Sequence, residues 1–144
     1  MPRRPDDARN PAVVRGEWGE AVAAEFLRRD GYEIVDRNAR PVAADRRLEI
    51  DIVAYDHLTD TMVFVEVKQH GKRSAFARRL AGVDRRKRLL LRRACNAWRR
   101  VNGWRGAYRF DVIEVWGEIG HRPEIDHVMQ VELFPVRGRF VKWS

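Results

Sequence analysis

Leu48-Glu49-Ile50-Asp51-Ile52-Val53-Ala54-Tyr55, a polar break at residues 56–61, and Met62-Val63-Phe64-Val65-Glu66-Val67-Lys68 form the stretch on which the fold turns. Both runs are rich in Val, Ile and Phe, which suit a pleated, half-buried strand. The break is short and polar, so the two runs are predicted to pair as a hairpin. Side chains alternate along a strand. Glu49, Asp51 and Val53 therefore share one face of the first run, and Glu66 and Lys68 share one face of the second. Carboxylates inside apolar strands carry a desolvation cost that calls for a compensating partner.

Upstream, residues 32–38 read as another extended segment. Before it, Asn10-Pro11 has the form of an N-cap followed by proline in the first helical turn; a helix is predicted to about residue 30, where Gly31 ends it. At 100° per residue, Val22, Ala23, Ala24, Phe26 and Leu27 fall on one arc, opposite Glu25, Arg28 and Arg29. Glu20 lies on the apolar arc, so its carboxylate is expected to point toward the protein body.

Downstream, a loop at 69–83 leads to a helix capped by Asp84 and predicted to run to about residue 101. Arg85, Arg86, Arg88, Arg92, Arg93, Arg99 and Arg100 cover one side, while Leu90, Leu91, Ala94, Cys95, Ala97 and Trp98 cover the other. Lys87 falls on the apolar side, three and four residues before Leu90 and Leu91, and is expected to project inward. A strong strand at 108–116 and a weaker one at 125–133 follow, and segment 135–144 reads as an edge strand or an interface. Helix, three strands, helix, two strands predicts an α/β sandwich with a mixed sheet. Residues 1–9 read as a polar tail and residues 10–144 as one domain.

The chain has 144 residues, with 29 Lys or Arg against 21 Asp or Glu and a net charge of +8. Its 44% apolar content supports a core and excludes disorder throughout. The single cysteine, Cys95, excludes a disulfide framework and a Cys-rich zinc site, and the four histidines lack metal-ligand spacing. With no apolar run of signal or membrane-spanning length, the expectation is a soluble, cytoplasmic protein without a membrane partner. Charge is uneven: residues 72–109 hold 14 basic side chains and one acid, a segment charge of +13 that leaves −5 for the remainder. Such a block points first to a phosphate backbone, with a solvated basic helix as the plain alternative.

Two carboxylates about 4 Å apart repel by roughly 4 kcal/mol at an effective dielectric of 20. Protonating one of them relieves this. A hard divalent cation does so better, taking oxygens from Asp51, Glu66 and the Val67 carbonyl and keeping several waters. Such an ion makes water a stronger nucleophile and neutralises charge on a reacting phosphate. Lys68, on the face of Glu66, would contact the attacking water or a phosphate oxygen. These roles fit phosphodiester hydrolysis, and the plain alternative is a salt bridge between neighbouring strands.

Other residues divide similarly. Glu20 is a further acid for the site or a helix-start carboxylate held by the dipole. Glu49 is a second acid or a partner for an arginine, and Gln69 and His70, directly after Lys68, are additional candidates. Lys87 is expected near the site, reaching a carboxylate or a substrate phosphate. Arg85, Arg88, Arg92, Arg93 and Arg99 form a surface that would track a nucleic-acid backbone. Asp111 reads as a structural partner for Arg109, Cys95 and Trp98 read as core, and Trp104 either stacks on a base or packs.

Gly19-Glu20, Glu49-Ile50-Asp51, Phe64-Val65-Glu66-Val67-Lys68, Lys87 and Arg109-Phe110-Asp111-Val112, in this order and spacing, resemble the YraN-like family. That family is similar to the Holliday junction resolvase branch of the PD-(D/E)xK nucleases, and the resemblance runs from about Arg15 to Leu133. It implies a restriction-endonuclease-like αβββαβ core, a divalent metal (Mg²⁺ or Mn²⁺) and DNA as substrate, with branched DNA or single-stranded regions as targets. It also implies Asp51 and Glu66 as metal ligands, Lys68 as the catalytic lysine and Glu20 as a further acidic member, and it raises a homodimer as an expectation. Leu48, His70 and Ala77 stand where the family usually has glycine, arginine and glycine, and the loop at 39–47 is longer. The expectation is a metal-dependent DNA endonuclease. The alternative is a catalytically silent nucleic-acid-binding module on the same fold.

Overall fold

The computed structural model describes residues 10–71 and 85–134. The tail at 1–9, Ala77, Asp84, which the sequence suggests as a cap, and the segment at 135–144 lie outside the described residues. Helix α1 spans Pro11–Arg29, its first turn closed by Asn10, whose side chain accepts from the Ala12 N–H at 2.9 Å. Gly31 follows the helix with φ +91°, a left-handed conformation that only glycine adopts without strain. Strands β1 (Tyr32–Ala39), β2 (Ile50–Asp56) and β3 (Thr61–His70) come next. Helix α2 (Arg85–Asn102), β4 (Ala107–Trp116) and β5 (Glu124–Val128) complete the order, which is the one expected.

The five strands form one mixed sheet in the order β1-β2-β3-β4-β5. All neighbours are antiparallel except β3 and β4, whose parallel pairing requires the crossover that contains α2. Alternation divides the core into two layers. Met62, Phe64, Phe110 and Val112 meet Leu91, Cys95 and Trp98 of α2. Val63, Val65, Ile113 and Val115 meet Ala23, Ala24 and Leu27 of α1 on the other face. Cys95 and Trp98 are core, as expected.

Three boundaries differ from the sequence reading by two residues or more. β3 runs on through Gln69 and His70, read from the sequence as the start of the loop, because both pair with Val115 and Trp116 of β4. β2 starts at Ile50, because a turn in which the Leu48 N–H bonds the Asp45 carbonyl holds the chain just before it. β5 ends at Val128 because Gln130 adopts φ +53° and its N–H turns to the Asp111 carboxylate at 2.9 Å. Among the described residues no helix is long and apolar enough to cross a membrane.

Candidate functional site

The β2/β3 ladder ends at the pair Ile52 and Val65, and Asp51 and Glu66 are the next residue on each strand. Their carboxyl groups lie within hydrogen-bonding reach of each other. Both face α2. Asp51 Oδ2 accepts the Val67 N–H at 2.8 Å, which fixes the carboxylate where the two strands part. Val67 thus meets Asp51 through its N–H.

Burial pushes the Asp51 carboxyl well above the ordinary carboxylate range, and the Glu66 charge within hydrogen-bonding reach pushes it further. Glu66 is 5% exposed, and its Oε1 lies 2.7 Å from the Lys87 ammonium. Lys87 reaches inward from the first turn of α2, as its place before Leu90 and Leu91 predicts. Burial pulls the Lys87 pKa down, but the Glu66 carboxylate outweighs it and the net direction is up. Lys68 shifts the other way: desolvation and then the Lys87 charge beside it push its pKa down. The paired acids are thus offset in two ways, by a raised affinity of Asp51 for a proton and by the Lys87 ammonium on Glu66.

A cavity of about 540 Å³ opens over these groups, lined by Glu20, Glu49, Asp51, Glu66 and Lys87, with Arg47 and Arg86 at its sides. Glu20 reaches it from α1, and burial followed by the Glu49 charge raises its pKa. Glu49 has both roles foreseen for it, since it lines the cavity and also pairs with Arg40 at 3.3 Å. Lys68 does not line the cavity, but it stands within hydrogen-bonding reach of Lys87.

Gln69 and His70 are engaged elsewhere. The Gln69 amide donates to the carbonyls of His70 and Gly117 at 2.8 and 3.1 Å, and its side chain packs on Gly19, where a Cβ would come within 3.0 Å. His70 stacks on Trp116 with ring centroids 4.2 Å apart and approaches Glu114 at 3.6 Å. Arg85, Arg88 and Arg93 are exposed on α2, whereas Arg92 and Arg99 are half-buried and line a different cavity. Asp111 is the structural partner expected, accepting from Arg109 Nε at 3.0 Å and lying 2.7 Å from His127 Nε2.

Two residues escaped the sequence reading. Asn38, at φ +49°, bridges two site acids: with its amide nitrogen turned to them, it donates to Glu20 Oε2 at 2.9 Å and Glu49 Oε1 at 3.3 Å. Its position at the end of an alternating strand gives no hint of this, because both partners are distant in sequence. Glu114 is fully buried on β4, and the parallel register sets it beside Lys68. Here a signal existed, since Ile113-Glu114-Val115 puts an acid inside an apolar strand just as Asp51 and Glu66 do.

Asp51, Glu66 and the Val67 backbone offer hard oxygen donors, and a pair of carboxylates whose repulsion already needs a proton and an ammonium suits a small divalent cation that keeps its remaining waters. Among the described residues, no group of three or more His, Cys, Asp or Glu side chains is arranged to hold a metal ion.

A five-stranded mixed sheet between two helices is the arrangement of a restriction-endonuclease-like core. The profile described as "Uncharacterised protein family UPF0102" matches residues 19–115, and the chain belongs to that family. A UPF0102 protein of Nocardia farcinica is 40% identical over 118 residues, covering 81% of this chain and 87% of its own length. Another, from Moorella thermoacetica, is 41% identical over 104 residues, 71% of this chain and 80% of the relative.

Proposed function

We propose that this protein is a metal-dependent endonuclease that hydrolyses phosphodiester bonds in DNA, with branched DNA or single-stranded regions as its targets. The observation that carries the reading is the Asp51–Glu66 pair, two carboxyl groups within hydrogen-bonding reach that line a cavity of about 540 Å³ and are flanked by two lysines. Asp51, Glu66 and the Val67 carbonyl hold Mg²⁺ or Mn²⁺, which when bound supplies an activated water and neutralises charge on the phosphate. The Val67 N–H keeps the Asp51 carboxylate aimed at the site. Lys68, whose depressed pKa makes it a readier proton acceptor, orients the nucleophile or meets a phosphate oxygen. Glu20, held through Asn38, extends the acidic wall, and Lys87 passes from Glu66 to the substrate phosphate. The exposed arginines of α2 track the backbone. The same reading gives a cytoplasmic protein, with pairing of two chains as the way to engage a symmetric junction.

The second reading is a binding module that does not cut. The Lys87 ammonium at 2.7 Å favours it, because it already neutralises Glu66. Incubation with branched, flapped and single-stranded DNA under Mg²⁺ or Mn²⁺ separates the two. Cleavage by the wild type, reduced at least 100-fold in Asp51→Asn, Glu66→Gln and Lys68→Met while DNA binding persists, is the expected result. Binding without cleavage under either metal would leave the module reading standing.

A further inference from the structure

A second cavity lies away from the acids. It occupies about 700 Å³ at the C-terminal end of α2. Arg92, Arg99 and Arg100 reach it from the helix and Arg105 from the following turn, and no acid is among the described lining residues. At 100° per residue these helical arginines lie on roughly the opposite side of α2 from Lys87 and Leu90, which border the acidic cavity. The two sites are separate.

The floor of this groove is aromatic. Trp104, Tyr108 and Phe134 line it, with the Tyr108 and Phe134 rings edge to face at 4.9 Å. The Trp104 indole is pinned by its Nε1–H bond to the Ala107 carbonyl at 2.9 Å and by contact with Gly106, where a Cβ would come within 2.8 Å of the ring. The Arg99 guanidinium lies 3.7 Å above the Tyr108 ring centroid. Tyr108 covers one face of that guanidinium, leaving the other for a second planar group. Among the described residues, the buried Nε–H groups of Arg92 and Arg99 meet no acceptor. Two guanidiniums are thus partly withdrawn from water with no carboxylate beside them among the described residues.

Guanidiniums over aromatic rings in a concave groove match a ligand that joins a phosphate to a flat, polar ring. In a duplex the base faces are already stacked, so only an unpaired base can present one. The volume lies within the range of about 300–1,000 Å³ typical of small-ligand pockets and admits one nucleotide. We propose that this groove holds an unpaired nucleotide of a DNA strand, its phosphate on Arg92 and Arg100 and its base between the Arg99 guanidinium and Trp104. The proposal rests on the DNA reading above but not on hydrolysis, and it adds a source of selectivity for DNA with unpaired bases.

Anisotropy with labelled oligothymidylate and with a duplex of equal length tests it, using wild type, Arg99→Gln, Trp104→Leu and the double variant Asp51→Asn/Glu66→Gln. Arg99→Gln and Trp104→Leu should each weaken single-strand binding about tenfold and duplex binding no more than about twofold. The acid-site double variant should keep single-strand affinity, so absence of cleavage does not bear on the groove. A strand carrying 5-iododeoxyuridine should cross-link under ultraviolet light to the peptide containing Trp104 and Tyr108, a readout on wild-type protein that stands even if Trp104→Leu fails to fold. Equal weakening of single-strand and duplex binding by Arg99→Gln, or adducts only elsewhere, would overturn the proposal while leaving backbone tracking intact. Competition by free thymidine monophosphate as effective as by the strand would overturn the assignment to DNA in favour of a free nucleotide.

Discussion

Burial first and the Glu66 charge second push the Asp51 carboxyl up to about 8. Its native pKa lies above its unfolded value, so the associated stability is fully present below the unfolded pKa and is lost as pH rises through the native one. In chelated buffer, Asp51→Asn should therefore be more stable than wild type at pH 8 by about 1–2 kcal/mol, read from thermal unfolding, with the gap closing toward pH 4. Asparagine keeps an oxygen for the Val67 N–H, so the change isolates the charge. Equal pH slopes for the two proteins would show that the acid pair is not strained. Asp111 behaves in the opposite sense. Although burial opposes ionisation, bonds from His127, Arg109 and the Gln130 N–H hold its pKa below the ordinary value. Its contribution is present at neutral pH and lost as pH falls through the native pKa.

Among the strands and helices, Asp111 clamps β4 to β5 and to the turn after it, while Arg109 ties the same carboxylate to Asp56 at the end of β2 and the Tyr32 hydroxyl of β1. Asp111→Ala leaves the half-buried Arg109 without its main partner and should cost about 3–5 kcal/mol in urea unfolding, with the amides of Glu124–Val128 losing hydrogen-exchange protection first. Uniform loss of protection across the sheet would contradict a local clamp. α1 depends on a different contact, since Gly19 lets the helix approach Gln69 of β3. Gly19→Val should push α1 outward and destabilise by about 1–3 kcal/mol, measured by thermal melting. The strands β3 and β4 were legible in the sequence because they are nearly unbroken apolar runs, and the inward Lys87 was legible from its spacing to Leu90 and Leu91. The end of β5 was not, because Asp111, a partner on another strand, captures the Gln130 N–H and turns the chain away from the ladder. Asn38 was invisible for a similar reason, its carboxylate partners being assembled only by the fold.

Across the molecule as a whole, two chemistries divide along α2, an acid pocket on one flank and an arginine groove on the other. Arg85, Arg88 and Arg93 are exposed on α2, and under the proposed function they would add a sequence-independent term to DNA binding. Replacing all three with glutamine should lower the slope of log affinity against log salt by about 0.9 for each phosphate no longer neutralised, measured by anisotropy across a salt series. An unchanged slope would make that face a solvated surface. Family membership accounts for the shared core but leaves the reaction to the site itself, because one fold supports many activities.

The nuclease reading stands or falls with the acid pair as a cation site, and diffraction from crystals soaked in Mn²⁺ at neutral pH looks at that site itself. The expected result is an anomalous peak bridging Asp51 and Glu66, with the Lys87 ammonium displaced from Glu66 and both features gone in Glu66→Gln. Carboxyls still facing each other with Lys87 in place, and no anomalous density between them at saturating Mn²⁺, would contradict it.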